Sequence, residues 1–169
     1  MKGDEIRDGD LLFVADKSAM GQAIQEATGD YSHVGIVFGG LVYHATGEQG
    51  VLREDLAVFL GREDRVFVYS YPLLDLMSAL KIAQQHLGKP YNPSFYPSTE
   101  AFYCSEYIAE ILPIFERIPM QFGKSPNEIS PFWQAYYEDL GLEVPLGQPG
   151  TNPSQLAQSN YIVYKGEII

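Results

Sequence analysis

Residues 32–46 read SHVGIVFGGLVYHAT, two β-prone runs around a Gly39-Gly40 pair, and this segment restricts the possible folds more than any other. Paired glycines between such runs supply the positive φ values of a two-residue hairpin turn. With that turn, Phe38 pairs with Leu41, and stepping outward sets Gly35 opposite His44 and His33 opposite Thr46. Side chains alternate between faces along a strand, so both histidines share one face; diagonal positions on a sheet lie about 7 to 8 Å apart, within reach of two imidazoles. Gly35 leaves space beside His44, whereas a loop of odd length would turn one strand over and part the rings. Either histidine taken alone also fits simple packing at a sheet edge.

The flanking segments complete an α+β pattern. Leu11 to Ala15 reads as a buried strand, followed by a helix that Ser18 can cap, with Met20, Ala23, Ile24 and Ala27 on one face and Gly29 beyond its end. Leu52 to Leu60 reads as a short helix or irregular segment, and Val66 to Tyr71 as a strand stopped by Pro72. Asp75 can start a helix that runs to Gly88, the proline-rich stretch Lys89 to Thr99 reads as a loop, and Phe102 to Leu112 as a helix ended by Pro113. Ser130 to Leu140 has a proline suited to a first helical turn and Gly141 at its end. Val144 to Gln158, rich in Pro, Gly, Asn and Gln, reads as an extended surface wrap before a last strand at Tyr161 to Tyr164.

With 169 residues, the expectation is one domain spanning 1–169. Twenty-two acidic against 11 basic residues give a net charge of -11, which repels phosphate backbones and argues against a nucleic-acid partner. No stretch approaches the roughly 20 apolar residues of a membrane-spanning helix. The opening MKGDEIRDGD has no apolar core of a signal peptide, so the chain as given is expected to be cytoplasmic, with an exported parent left open.

Cys104 is the single cysteine, which forbids an internal disulfide and multi-cysteine zinc motifs. It falls in the first turn of the expected 102–112 helix, where free backbone N–H groups and the helix dipole stabilise a thiolate, and a nearby imidazole can take the proton. A lone cysteine can equally be inert core. One Cys with two His is also an acceptable zinc donor set, though no metal and no cofactor are expected. His86 suits a structural role at the end of its helix. Glu48, Glu54, Glu106 and Glu110 read as solvated charges and are set aside as acids.

Several motifs resemble one family. GDLL (9–12), SHVGIV (32–37), LGKPY (87–91), YCSEYI (103–108), IPMQF (118–122), FWQAYYEDLG (132–141) and PGTNP (149–153) are similar to the YiiX-like proteins, a circularly permuted branch of the papain-like NlpC-type cysteine hydrolases related to the lecithin:retinol acyltransferase group. The resemblance implies a permuted papain-like fold, with an antiparallel sheet packed against helices and the histidine strand ahead of the cysteine helix. It implies Cys104 as nucleophile, His33 as general base and His44 as the polar residue that orients the base. Many YiiX-like sequences have Glu at that last position, so His44 departs toward the NlpC-type pattern. Tyr91 matches a family tyrosine placed to help an oxyanion, and Tyr103 joins it as a candidate for oxyanion or substrate contact.

The function so implied is hydrolysis of amide bonds, in small peptides or cell-wall peptide fragments, through a Cys-His-His triad and an acyl-enzyme. Phe95, Tyr96, Phe102 and Tyr103 near the cysteine keep open a lipid or thioester acyl substrate, by hydrolysis or transfer. A ligand-binding module on the same fold is the alternative outside enzymes.

Overall fold

The computed structural model describes residues 1–169. In chain order the elements are β1 (Leu11–Val14), α1 (Ala19–Thr28), β2 (His33–Phe38), β3 (Leu41–Thr46), β4 (Gly50–Asp55), α2 (Leu56–Arg62), β5 (Val66–Ser70), α3 (Leu76–Gln85), α4 (Cys104–Ile111), β6 (Ile118–Pro119), α5 (Pro131–Leu140), β7 (Pro149–Gly150), α6 (Pro153–Ala157) and β8 (Val163–Glu167). Six strands form one antiparallel sheet in the order β4-β3-β2-β1-β5-β8, and β6 pairs with β7. The α+β expectation holds. No helix is long and apolar enough to cross a membrane.

Both faces of the sheet are covered, which is why β1 reads LLFV rather than alternating with polar residues. Leu11, Phe13, Val34, Ile36, Tyr43 and Ala45 pack with Ala79 and Ala83 of α3 and with Tyr107, Ile108 and Ile111 of α4. Leu12, Val14, Val37, Val42, Val66 and Val68 form the opposite face with Phe59 of α2. A smaller aromatic cluster of Phe122, Trp133 and Tyr137 joins α5 to Ala23 of α1.

Local signals placed most helices. The Ser18 hydroxyl accepts from the Gly21 N–H at 2.9 Å, Asp75 from the Ser78 N–H at 3.2 Å, and Ser130 from the Trp133 N–H at 3.5 Å, each capping the helix that follows. Two expectations are corrected. The segment 52–60 is not one short helix: β4 takes 50–55 because β3 offers it a full antiparallel ladder, and only then does α2 begin. The segment 144–158 is not a surface wrap either. It holds β7 and α6, and Pro153, Ser154 and Leu156 are buried, because α6 packs on α4 and Leu156 joins the main core.

Candidate active site

The hairpin forms in the expected register. Gly39 and Gly40 take φ values of 59° and 74°, the conformation a two-residue turn demands, and Phe38, Val37 and Ile36 face Leu41, Val42 and Tyr43. Gly35 then lies against His44: a Cβ there would stand 3.3 Å from the His44 Cβ and 2.8 Å from Val42 Cγ1. The two histidines share a face, and His33 Nε2 is 2.8 Å from His44 Nδ1 with the rings nearly perpendicular.

The chain of contacts continues beyond His44. On β4, Leu52 faces His44 and Glu54 faces Val42, so Glu54 is the diagonal neighbour of His44 on the same face. His44 Nε2 is 2.7 Å from Glu54 Oε2. Arg62, on α2, donates to both oxygens of that carboxylate, at 2.7 Å and 3.2 Å. Glu54, which the sequence alone reads as a solvated charge, is thus part of the site. The signal that could have retained it is the Thr46 to Gly50 turn followed by GVLRED, which pairs back on β3 and aims every second side chain at the histidine face.

Cys104 is the first residue of α4, as expected, and its N-cap residue Tyr103 makes no side-chain bond to the helix end. Its sulfur lies 3.9 Å from the Ser32 carbonyl oxygen, and the Val34 N–H also stabilises it, so the thiol rests on the backbone to either side of His33. Val14, the cross-strand partner of His33, belongs to the α2 side of the sheet, whereas Cys104 packs in the cluster on the α4 side. Thiol and imidazoles open into one cleft at the end of the ribbon where β2 begins.

Burial governs protonation here. It pushes the Cys104 thiol up to about 12, against the stabilising N–H groups of Ser105 and Val34. Burial, with His44 alongside, pushes His33 down to about 3, and burial also lowers His44 despite Glu54. The helix-start N–H groups do favour the thiolate, as expected, but burial outweighs them, because removing a thiolate from water costs more than one helix turn returns. At neutral pH the resting site holds a neutral thiol and neutral imidazoles.

The cleft encloses about 770 Å³ and is lined by Cys104, His33, His44, Tyr91 and the acidic Asp16, Glu48 and Glu63. That volume suits a small molecule or short peptide. Tyr91 sits beside the sulfur, its hydroxyl held well above the usual tyrosine range by burial and by the neighbouring Cys104. Tyr103 is not brought to the histidines. It lines an apolar cavity of about 60 Å³ that adjoins the cleft at Cys104 and Tyr91, together with Phe95, Met120 and Trp133, and its hydroxyl accepts the Thr151 N–H at 3.1 Å. His86 is remote, packed on Phe102 with Nε2 3.7 Å from Glu110. No group of three or more His, Cys, Asp or Glu side chains is arranged to hold a metal ion.

Residues 5–161 match the model of a family described as permuted papain-like amidase enzymes, YaeF/YiiX, the C92 family. Among solved structures, the chain is similar to the crystal structure described as metalloprotein yiiX from Escherichia coli O157:H7, with a TM-score of 0.81 and 24% identity over 95% of this chain and 96% of that one. At that identity the likeness shows the fold. No curated protein matches the chain.

Proposed function

The chain belongs to the YaeF/YiiX family of permuted papain-like amidases, cysteine hydrolases of amide bonds, and from that premise we propose that Cys104 is its nucleophile, His33 its general base and His44 the orienting residue. The observation that carries this reading is the 2.8 Å contact between His33 Nε2 and His44 Nδ1, beside a thiol seated on the backbone around His33. The thiol itself rests on the Ser32 carbonyl; with Nε2 committed to His44, we assign Nδ1 as the nitrogen that receives its proton when substrate is attacked.

In the first step His33 Nδ1 takes the thiol proton as sulfur attacks the amide carbon, and the carbonyl oxygen becomes an oxyanion near the Cys104 N–H and the Tyr91 hydroxyl. The imidazolium then protonates the departing amine, the C–N bond breaks and a thioester remains. Water, deprotonated by the same imidazole, hydrolyses it and regenerates the thiol. A neutral resting pair suits this route, since the proton moves only once a substrate is present.

The substrate class proposed is a small peptide or cell-wall peptide fragment, which the cleft of about 770 Å³, with Asp16, Glu48 and Glu63 on its walls, accommodates. The similar yiiX structure is described as a metalloprotein, but the donors here do not fit a metal, since the imidazoles are chained to each other and to Glu54.

The test is to incubate muropeptides and short-chain acyl esters in parallel with the protein and with Cys104→Ala, and to seek the acyl adduct on Cys104 by intact mass. Amide cleavage and an adduct that both vanish in the variant support the reading. Cleavage that survives in Cys104→Ala overturns it, and turnover of esters alone overturns the amide assignment.

A further inference from the structure

We propose that Glu54, clamped by Arg62, is a positioning residue that selects the tautomers of both histidines and so leaves the lone pair of His33 on Nδ1. This rests on the reading of His33 as the base for Cys104. An imidazole in the orienting position differs from an amide or carboxylate oxygen there, because it can donate or accept through either nitrogen. Two neutral imidazoles in contact can therefore be polarised in two directions. With His33 Nε2–H donating to His44 Nδ1, His33 Nδ1 is free to accept a proton. With the direction reversed, His33 Nδ1 carries the hydrogen and cannot act as a base. The His33–His44 pair alone does not choose between these states.

The carboxylate of Glu54 chooses. It only accepts, and the Arg62 guanidinium donating to both of its oxygens keeps it ionised. Its contact of 2.7 Å with His44 Nε2 therefore requires the hydrogen on that nitrogen. A neutral His44 then has its lone pair on Nδ1, which must accept from His33 Nε2–H across 2.8 Å. His33, neutral as well, has its remaining lone pair on Nδ1. One acceptor on β4 thus sets the hydrogen positions through two rings, and the residue that holds it comes from α2.

Glu54→Gln separates this role from packing, because it is isosteric. Arg62 draws the amide oxygen, which turns the amide NH₂ toward His44 Nε2 and presents a donor where an acceptor stood. The expected result is a reversed chain: ring ¹⁵N–¹H correlation spectra, readable with only three histidines, move the His44 hydrogen from Nε2 to Nδ1. The rate of Cys104 alkylation by iodoacetamide at neutral pH falls by about 100-fold or more, as loss of the correct tautomer does in other triads. Glu54→Asp, which still only accepts, retains the wild-type tautomers and falls less. Wild-type tautomers and alkylation rate in Glu54→Gln overturn the proposal, as does a loss equal in Gln and Asp with no change of tautomer. His33→Ala tested beside them reports on the reading beneath: a wild-type alkylation rate in that variant removes His33 as base, whatever the tautomers do.

Discussion

Glu106 gives the sharpest quantitative test of the electrostatics around the nucleophile helix. It is the third residue of α4, two after Cys104, only 7% exposed, with one carboxyl oxygen buried and unpartnered. Burial pushes its pKa up from 4.5 to about 7, with the Asn92 side chain, the Tyr103 N–H and Arg117 offsetting only part. The folded state therefore holds this proton at pH values where the unfolded chain has released it. Stability from the protonated form is present in full below about pH 4.5 and is lost as pH rises through about 7. Integrated between pH 5 and pH 8, that shift is worth about 2 to 3 kcal/mol. Glu106→Gln keeps an acceptor for the Tyr103 N–H and removes the titration. The assay is urea denaturation of both proteins at pH 5 and pH 8. Relative to wild type, the variant should gain about 2 to 3 kcal/mol on going from pH 5 to pH 8. A wild-type-to-variant difference that is the same at both pH values would refute the argument, and would mean that water or a rotamer change solvates the carboxylate.

Three further outcomes follow from the structure. With burial holding the thiol at about 12 and His33 at about 3, the alkylation rate of Cys104 should keep climbing through the alkaline range; a plateau between pH 5 and 7 would reveal a preformed thiolate–imidazolium pair instead. Gly35→Val places a Cβ 2.8 Å from Val42 Cγ1 and 3.3 Å from the His44 Cβ, and should cost about 1–3 kcal/mol in denaturation experiments; an unchanged midpoint would contradict the close approach of the two strands. Leu156→Ala, at a site with no exposed surface, should cost about 2–5 kcal/mol, whereas a loss within about 0.5 kcal/mol would return α6 to the surface.

The amino-acid sequence alone determined the features that depend on near neighbours in the chain. Alternation along 33–38 and 41–46 with a Gly-Gly turn put His33 and His44 on one face, and Ser18, Asp75 and Ser130 marked where helices begin. Cys104 at the start of a helix was legible for the same reason. The tertiary structure decided what depends on distant partners and on exclusion of water. GVLRED becomes a strand only because β3 presents a ladder to it, and only that pairing carries Glu54 to His44. Pro153, Ser154 and Leu156 lie in a stretch whose composition suits the surface, yet they are buried because α6 packs on α4. The thiol shows the difference most clearly, since the helix dipole that favours its charge is a local property, whereas the burial that opposes it is created by the core that assembles around it. Hydrogen-bond periodicity is written residue by residue, but the local dielectric is a property of the packed whole.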